Sequence, residues 1–145
     1  MNQYQNSLEY YNYVNNNYNK PMYQEDINAS KLYDPYQGLI RGNMFKELYN
    51  DYKMSNPIML DPKNEQEDMK LYLDSLCFAA HDINLYLDLY PDDKDMLKKF
   101  ADYRKELEVV KKKYEEMYGP IFVNSESNTV FPWAWDNSPW PWEGV

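Results

Sequence analysis

Two long stretches in the middle of the chain place apolar residues at alternating spacings of four and three. In residues 62–90 these are Met69, Leu73, Leu76, Ala80, Ile83, Leu87 and Tyr90. In the stretch that ends at residue 118 they are Met96, Phe100, Tyr103, Leu107, Val110, Tyr114 and Met117. This seven-residue repeat predicts two helices, each with one apolar seam. Pro91 disfavours helical geometry before it and Gly119-Pro120 ends the second helix, so we predict an antiparallel helical hairpin.

The first long helix carries a second apolar row, nearly opposite its seam. This row consists of Leu71, Phe78, Leu85 and Leu89. One neighbouring helix cannot cover both rows, so we predict that the first long helix is a middle layer. The second long helix would cover its seam, and either a short helix at residues 44–52 or another protein would cover the second row. Leu71, Phe78 and Leu85 are therefore candidate partner-binding residues.

Turn and capping signals predict where the helices begin. Arg41-Gly42-Asn43 is a turn signal, and Asn43 is suited to cap the short helix. The apolar face of that helix consists of Phe45, Leu48, Tyr49 and Tyr52. Asp61-Pro62 predicts the start of the first long helix, with Asp61 as N-cap and Pro62 at the first helical position.

The two ends of the chain have compositions that do not fit a helix. Residues 1–20 are rich in Asn and Tyr without apolar periodicity, which is typical either of a disordered tail or of a self-associating segment. We therefore predict an all-α chain in four parts. These are a low-complexity segment at 1–30, a segment with a short helix at 31–60, the hairpin at 61–119 and a Trp/Pro-rich tail at 120–145.

All four tryptophans lie in the C-terminal segment, residues 120–145, where they alternate with prolines. Alternating Pro and Trp predicts an extended, polyproline-like strand with its rings projecting outward. Tryptophan is enriched in binding hot spots. Two interpretations stay open: the segment folds back on the helices of its own chain, or it docks to another protein. The candidate partner-binding residues are Trp133, Trp135, Trp140 and Trp142.

Charge and composition exclude several classes of function. The chain has 15 basic and 24 acidic residues, a net charge of −9, so we expect neither nucleic acid nor membrane as a partner. One cysteine excludes an internal disulfide, and one histidine argues against a His/Cys zinc site. Residues 1–5 have neither a positive region nor an apolar run, so we expect no secretory signal peptide. We therefore expect an interaction protein, without catalytic residues, metal or cofactor.

One alternative comes from Cys77 and His81, which are four residues apart and can meet on one helix. A thiol beside an imidazole is the basis of nucleophilic and redox chemistry. The alternative hypothesis is thus a small redox or metal-handling protein that uses these two residues.

Three motifs in residues 61–145 resemble the CotJB spore-coat family of endospore-forming bacteria. They are LYLDLYPDD at 85–93, YEEMYGP at 114–120 and PWPWE at 139–143. Residues 32–39 (LYDPYQGL) and 41–48 (RGNMFKEL) resemble CotJA, a small coat protein usually encoded just upstream. CotJA commonly has Pro after the Phe, and Lys46 stands there in this chain. The chain resembles a natural fusion of the two families.

The resemblance implies a structural or assembly protein of the spore coat, synthesised in the mother-cell cytoplasm. It also implies a partner, the third product of the same locus, which resembles a manganese catalase. Other coat proteins and further copies of the chain are additional expected partners. The family supplies no catalytic residues to carry over. The leading hypothesis is a non-enzymatic coat protein that scaffolds or recruits this catalase-like protein.

Overall fold

A computed structural model describes residues 31–52, 56–137, 140, 142 and 143. Its three α-helices are α1 (Pro35–Arg41), α2 (Glu65–Leu89) and α3 (Lys94–Tyr118). Short 3-10 turns occur at Asn50–Tyr52, Glu126–Thr129 and Ala134–Asp136. The described residues contain no β-strand, and an isolated antiparallel bridge pairs Leu32 with Phe45. These elements confirm the predicted all-α class with a helical hairpin.

The described residues other than Lys31 belong to the unit formed by Leu32–Val145. The predicted low-complexity segment at 1–30 lies outside the described residues. Among the helices that are described, none combines the length and the hydropathy that a membrane span requires.

The hairpin consists of α2 and α3, which pack against each other along most of their length. Asn64, rather than the predicted Asp61, caps α2. Its Oδ1 accepts a hydrogen bond from the N–H of Glu67 at 2.8 Å, while the Glu67 side chain accepts one from Asn64 Nδ2 at 3.0 Å. Asn64 thus satisfies one first-turn N–H and is itself held by the Glu67 carboxylate, which also accepts from the Lys63 N–H, and the helix begins three residues later than predicted.

The link between the two helices ends α2 before Pro91, as predicted, and Asp93 caps α3. Asp93 accepts hydrogen bonds from the backbone N–H groups of Asp95 and Met96, at 3.2 and 3.1 Å. Its other carboxylate oxygen accepts one from the Tyr86 hydroxyl at 3.0 Å, which ties the cap back to α2. At the other end of α3, Gly119 adopts a positive φ of 99°, which favours glycine.

The short helix lies before the predicted turn rather than after it. The prediction of a helix at 44–52 was wrong: α1 covers Pro35–Arg41, with Asp34 as N-cap and Pro35 at the first helical position. Gly42, at φ 70°, ends it. Asn43 does not cap a following helix, because its Oδ1 accepts a hydrogen bond from the N–H of Phe45 at 2.6 Å and closes a turn instead.

The described core includes two clusters that follow one another along α2. In its first half, Leu73 and Leu76 pack with Val110 of α3. In its second half, Ala79 and Ile83 pack with Met96 of α3 and also with the segment before α2, through Leu32, Met44 and Phe45. A direct hydrogen bond at 2.8 Å from the Met44 N–H to Asp82 Oδ2 ties this segment to α2. Helix α2 is therefore a middle layer between α3 and residues 32–45, which we call the α1 segment.

The covered second face overlaps the predicted row only at Phe78, which packs against the cluster with Met44 and Phe45. The rest of it consists of the buried Ser75 and Ala79, the carboxylate of Asp82 and the ring of Tyr86. Ser75 satisfies its hydroxyl by donating to the Leu71 carbonyl at 2.8 Å. These side chains are small or polar, so an apolar pattern does not reveal them. The close packing in this region is visible at Gly38 of α1, where an added Cβ would lie 2.2 Å from the sulfur of the fully buried Met44.

We predict that Phe78→Asp releases the α1 segment and leaves the hairpin helical. Phe78 packs against the cluster that contains Met44 and Phe45, so a carboxylate there costs about 3 kcal/mol. Circular dichroism should retain most of the helical signal, while trypsin should cleave faster after Arg41 and Lys46.

The matched control is Leu85→Asp on the same helix, because Leu85 is 50% exposed. It should change the free energy of unfolding by no more than about 0.5 kcal/mol. Complete loss of helicity in Phe78→Asp, or equal effects of the two substitutions, would show that α2 is not covered in this way.

Candidate interaction surfaces

The first half of the C-terminal segment packs on the hairpin. Ile121 contacts the cluster of Leu73, Leu76 and Val110. Glu115 of α3 accepts hydrogen bonds from the Ser125 hydroxyl at 2.5 Å and from the Ile121 N–H at 3.3 Å. These contacts fix where the chain leaves the end of α3.

Two further contacts hold the turn after Ile121. The buried Asn128 donates through Nδ2 to the carbonyls of Phe122 and Val123, at 2.9 and 3.0 Å. Lys111 places its ammonium group 4.8 Å from the centre of the Phe122 ring, a cation–π contact. Residues 121–129 therefore form a folded base from which the aromatic end of the chain extends.

Three tryptophans beyond this base form a ring cluster, which we call the Trp cluster: Trp135, Trp140 and Trp142. The ring of Trp142 lies 5.7 Å from that of Trp135 and 5.5 Å from that of Trp140, measured between centroids. The indole N–H of Trp140 donates to the Trp135 carbonyl at 2.8 Å, and Glu143 accepts from the Trp140 backbone N–H at 2.8 Å. The predicted extended strand was wrong, because these contacts, with the 3-10 turn at Ala134–Asp136, turn the chain back on itself.

Much of this aromatic surface stays exposed to solvent. Trp142 is 65% exposed, Trp133 is 56% exposed and Phe131 is 99% exposed. The 121–129 base packs on the helices of its own chain, whereas the rings beyond it do not enter the core. The first interpretation, folding back on the chain's own helices, thus applies to residues 121–129, and docking of the tryptophans to another protein stays a prediction.

The three candidate residues of the predicted second row have different surroundings. Leu71 and Phe78 are half-buried, and Phe78 contacts the cluster shared with the α1 segment. Leu85 is exposed. Intramolecular packing therefore accounts for Phe78, and Leu85 is the one of the three with most surface available to a partner.

Four aromatic rings, which the sequence pattern did not reveal as a group, form a ladder where the α1 segment meets the end of α2. It consists of Tyr49, Phe45, Tyr86 and Tyr90. The centroid of Tyr86 lies 4.7 Å from that of Phe45 and 4.6 Å from that of Tyr90, and Tyr49 meets Phe45 edge-on at 6.5 Å. Tyr49 adopts φ 58°, a strained backbone conformation for a residue other than glycine. The signal in the sequence was only the helical spacing of Tyr86 and Tyr90, because the other rings come from a distant part of the chain.

Cys77 and His81 do not form a recognisable reactive pair. Cys77 is half-buried, and burial raises the pKa of its thiol, with a further rise from the charge of Asp74. Lys70 and Lys111 oppose this shift, but Lys70 is engaged by Asp74 at 2.6 Å. His81 is exposed. A raised pKa keeps the thiol protonated, the opposite of what a nucleophile requires. Across the described part of the chain, no three His, Cys, Asp or Glu side chains come together as metal ligands would.

In a comparison with known protein families, one family model matches the part of the chain that contains the hairpin and the Trp cluster. The family model described as CotJB protein matches residues 66–143, more than half of the chain. No curated protein and no solved structure matches the chain. The matched region includes nearly all of both long helices, the folded base and all three rings of the Trp cluster.

We predict that Cys77 is a slow thiol whose rate does not depend on His81. Because the thiolate is the reactive species, the raised pKa lowers its fraction at pH 8 and slows reaction with a disulfide reagent relative to the urea-unfolded chain. The rate should keep rising with pH beyond the pKa of an ordinary thiol. His81→Ala should leave the whole pH profile unchanged. Fast reaction in the folded chain, together with a drop in His81→Ala, would instead support the redox hypothesis.

Proposed function

The chain belongs to the CotJB family and is a spore-coat protein, and we propose that it acts there as a non-enzymatic assembly component that recruits a manganese-catalase-like coat protein. Synthesis in the mother cell belongs to the same proposal. The catalase-like partner is implied by the family resemblance, and the residues of the described surface supply the physical support.

The observation that carries the proposal is the exposed aromatic surface on a fixed base. Exposed tryptophan rings contribute several kcal/mol to binding when a partner buries them in a pocket. Glu115 and Asn128 hold the base on which they stand, so less conformational freedom is lost on docking. Preorganised aromatic residues of this kind are typical of binding sites.

The chemistry of Cys77 favours the non-enzymatic proposal over the redox alternative. A thiol with a raised pKa is a poor nucleophile and a poor metal ligand at neutral pH. No observation in the described residues favours a second function strongly enough to propose it.

We further propose that residues 31–60 are a CotJA-like segment fused in cis. The support is that part of this segment packs on α2 of the same chain, through Met44 and Phe45. A covalent link gives such a segment a high effective concentration at the face that it covers. Fusion would therefore turn an association of two proteins into an intramolecular contact.

We predict that deleting residues 131–145 abolishes recruitment and leaves the fold intact. The deletion removes the Trp cluster and keeps Ile121, Ser125 and Asn128, which hold the base. Helix content should hardly change, because neither core cluster contains a tryptophan. Co-purification of the catalase-like protein from sporulating cells, and incorporation into the coat, should be lost.

A substitution pair provides the matched control. Trp133→Ala with Trp142→Ala should weaken co-purification by orders of magnitude, as expected for two aromatic anchors. Val123→Ala with Val130→Ala removes exposed apolar side chains outside the cluster and should have little effect.

The deletion of residues 131–145 has one contradicting outcome. A large fall in melting temperature, with normal assembly at low temperature, would show that the tail belongs to the chain's own core.

A further inference from the structure

Helix α3 carries a row of lysines on the face that points away from α2. Its members are Lys94, Lys98, Lys105 and Lys112, and we call them the lysine ridge. At 100° per residue they lie within a narrow arc opposite the buried Met96, Val110 and Tyr114, and all four are exposed. Ala101 and Val109, also exposed, flank this arc, and one acidic residue, the exposed Glu116, lies within it near the end of the helix.

The charges of the ridge are not paired. Within the described part of the chain, none of the four lysines forms a hydrogen bond or an ion pair. Two other basic residues of the same helix do: Arg104 meets Glu108 at 3.3 Å and Lys111 meets Glu115 at 3.8 Å. The net charge of the whole chain is −9, so the ridge, with four lysines and one glutamate, is a net basic strip on an acidic molecule.

The segment best matched to this ridge is the Trp tail, which we define as residues 131–145. It contains no basic residue, and its two acidic residues, Asp136 and Glu143, are exposed beside the rings. Lysine is attracted both to these carboxylates and to the faces of tryptophan rings. The aromatic ladder is a poorer site for the tail, because the carboxylates of Asp82 and Asp93 lie beside it and would repel the tail.

The structure already contains one small example of this recognition. Lys111 of α3 lies 4.8 Å from the ring centre of Phe122, so an aromatic side chain of the C-terminal segment rests on a lysine of α3. Lys98, Lys105 and Lys112 succeed one another at about 10.5 Å and offer the same contact repeatedly along the ridge.

We propose that the Trp tail of one copy docks on the lysine ridge of a second copy. The inference rests on the proposed function and names a partner for the same aromatic surface. Tail and ridge are different surfaces, so each copy keeps one of them free after the other is bound. Such a head-to-tail contact does not close on itself and propagates into chains or layers.

The test uses two full-length chains that can pair in one way only. The bait carries Trp133→Ala and Trp142→Ala, so only its ridge can bind. The prey carries Lys98→Glu and Lys105→Glu, so only its tail can bind. We expect bait to capture prey, and added salt to weaken the capture because exposed charges are screened.

Reversing the ridge of the bait should then break the contact. Lys98→Glu with Lys105→Glu in the bait should weaken capture at least about tenfold. The control bait carries Lys63→Glu with Lys99→Glu, which gives the same net charge away from the ridge, and should capture prey as before. Adding Asp136→Lys to the prey should restore part of its binding to the reversed bait. Asp136 is chosen because Glu143 holds the backbone of Trp140.

Three results would overturn the inference: wild-type copies that stay monomeric at submillimolar concentration, equal capture by reversed and control baits, or no recovery with Asp136→Lys.

The failure of this inference can be distinguished from the failure of the proposed function. If ridge reversal leaves pairing intact while tail deletion still abolishes co-purification of the catalase-like protein, only the self-docking inference fails. If copies pair through the ridge but no catalase-like protein co-purifies with the full chain, only the recruitment proposal fails.

Discussion

The need to bury two faces of one helix determines the architecture of this protein. Helix α2 has apolar or closely packed side chains around more than half of its circumference, and one neighbour cannot cover them. Helix α3 covers the side of Leu73 and Leu76, and the segment with Met44 and Phe45 covers the side of Asp82 and Tyr86. The hydrogen bond from Met44 to Asp82 adds a polar anchor on that second side. The hairpin and the N-terminal segment at 32–45 are thus parts of one core.

That arrangement leaves the outer surfaces available for assembly. The outward face of α3 carries the lysine ridge, and the folded base after α3 carries the exposed tryptophans. Both surfaces depend on α2, because α3 is held by its seam and the base by Ile121 in the same seam cluster. A coat protein of this size therefore combines a small core with two proposed interaction surfaces, one basic and the other acidic and aromatic.

Periodic patterns in the sequence were sufficient to predict the hairpin, but not the contacts between distant segments. The four-three spacing located both long helices, and Pro91 and Gly119 located their ends. The sequence contains two Asp-Pro helix-start signals, and only Asp34-Pro35 begins a helix in the structure. At Asp61-Pro62 the helix begins later, because Asn64 and Glu67 form reciprocal hydrogen bonds that place the N-cap at Asn64. The covered face of α2 was missed because Ser75, Ala79 and Asp82 are not large apolar residues. The turned Trp tail depends on a bond from Trp140 to the Trp135 carbonyl, which no spacing rule predicts.

Hydrogen exchange of the native full-length chain tests the two-sided burial of α2 most directly. If α2 is the shared layer, the amides of residues 73–83 should be the slowest to exchange, and α3 should open together with them in one cooperative step. Residues 32–45 should open at lower free energy, because they can leave one face while the hairpin persists. Faster exchange in α2 than in α3, or identical exchange of residues 32–45 and α2 under all conditions, would contradict two-sided burial.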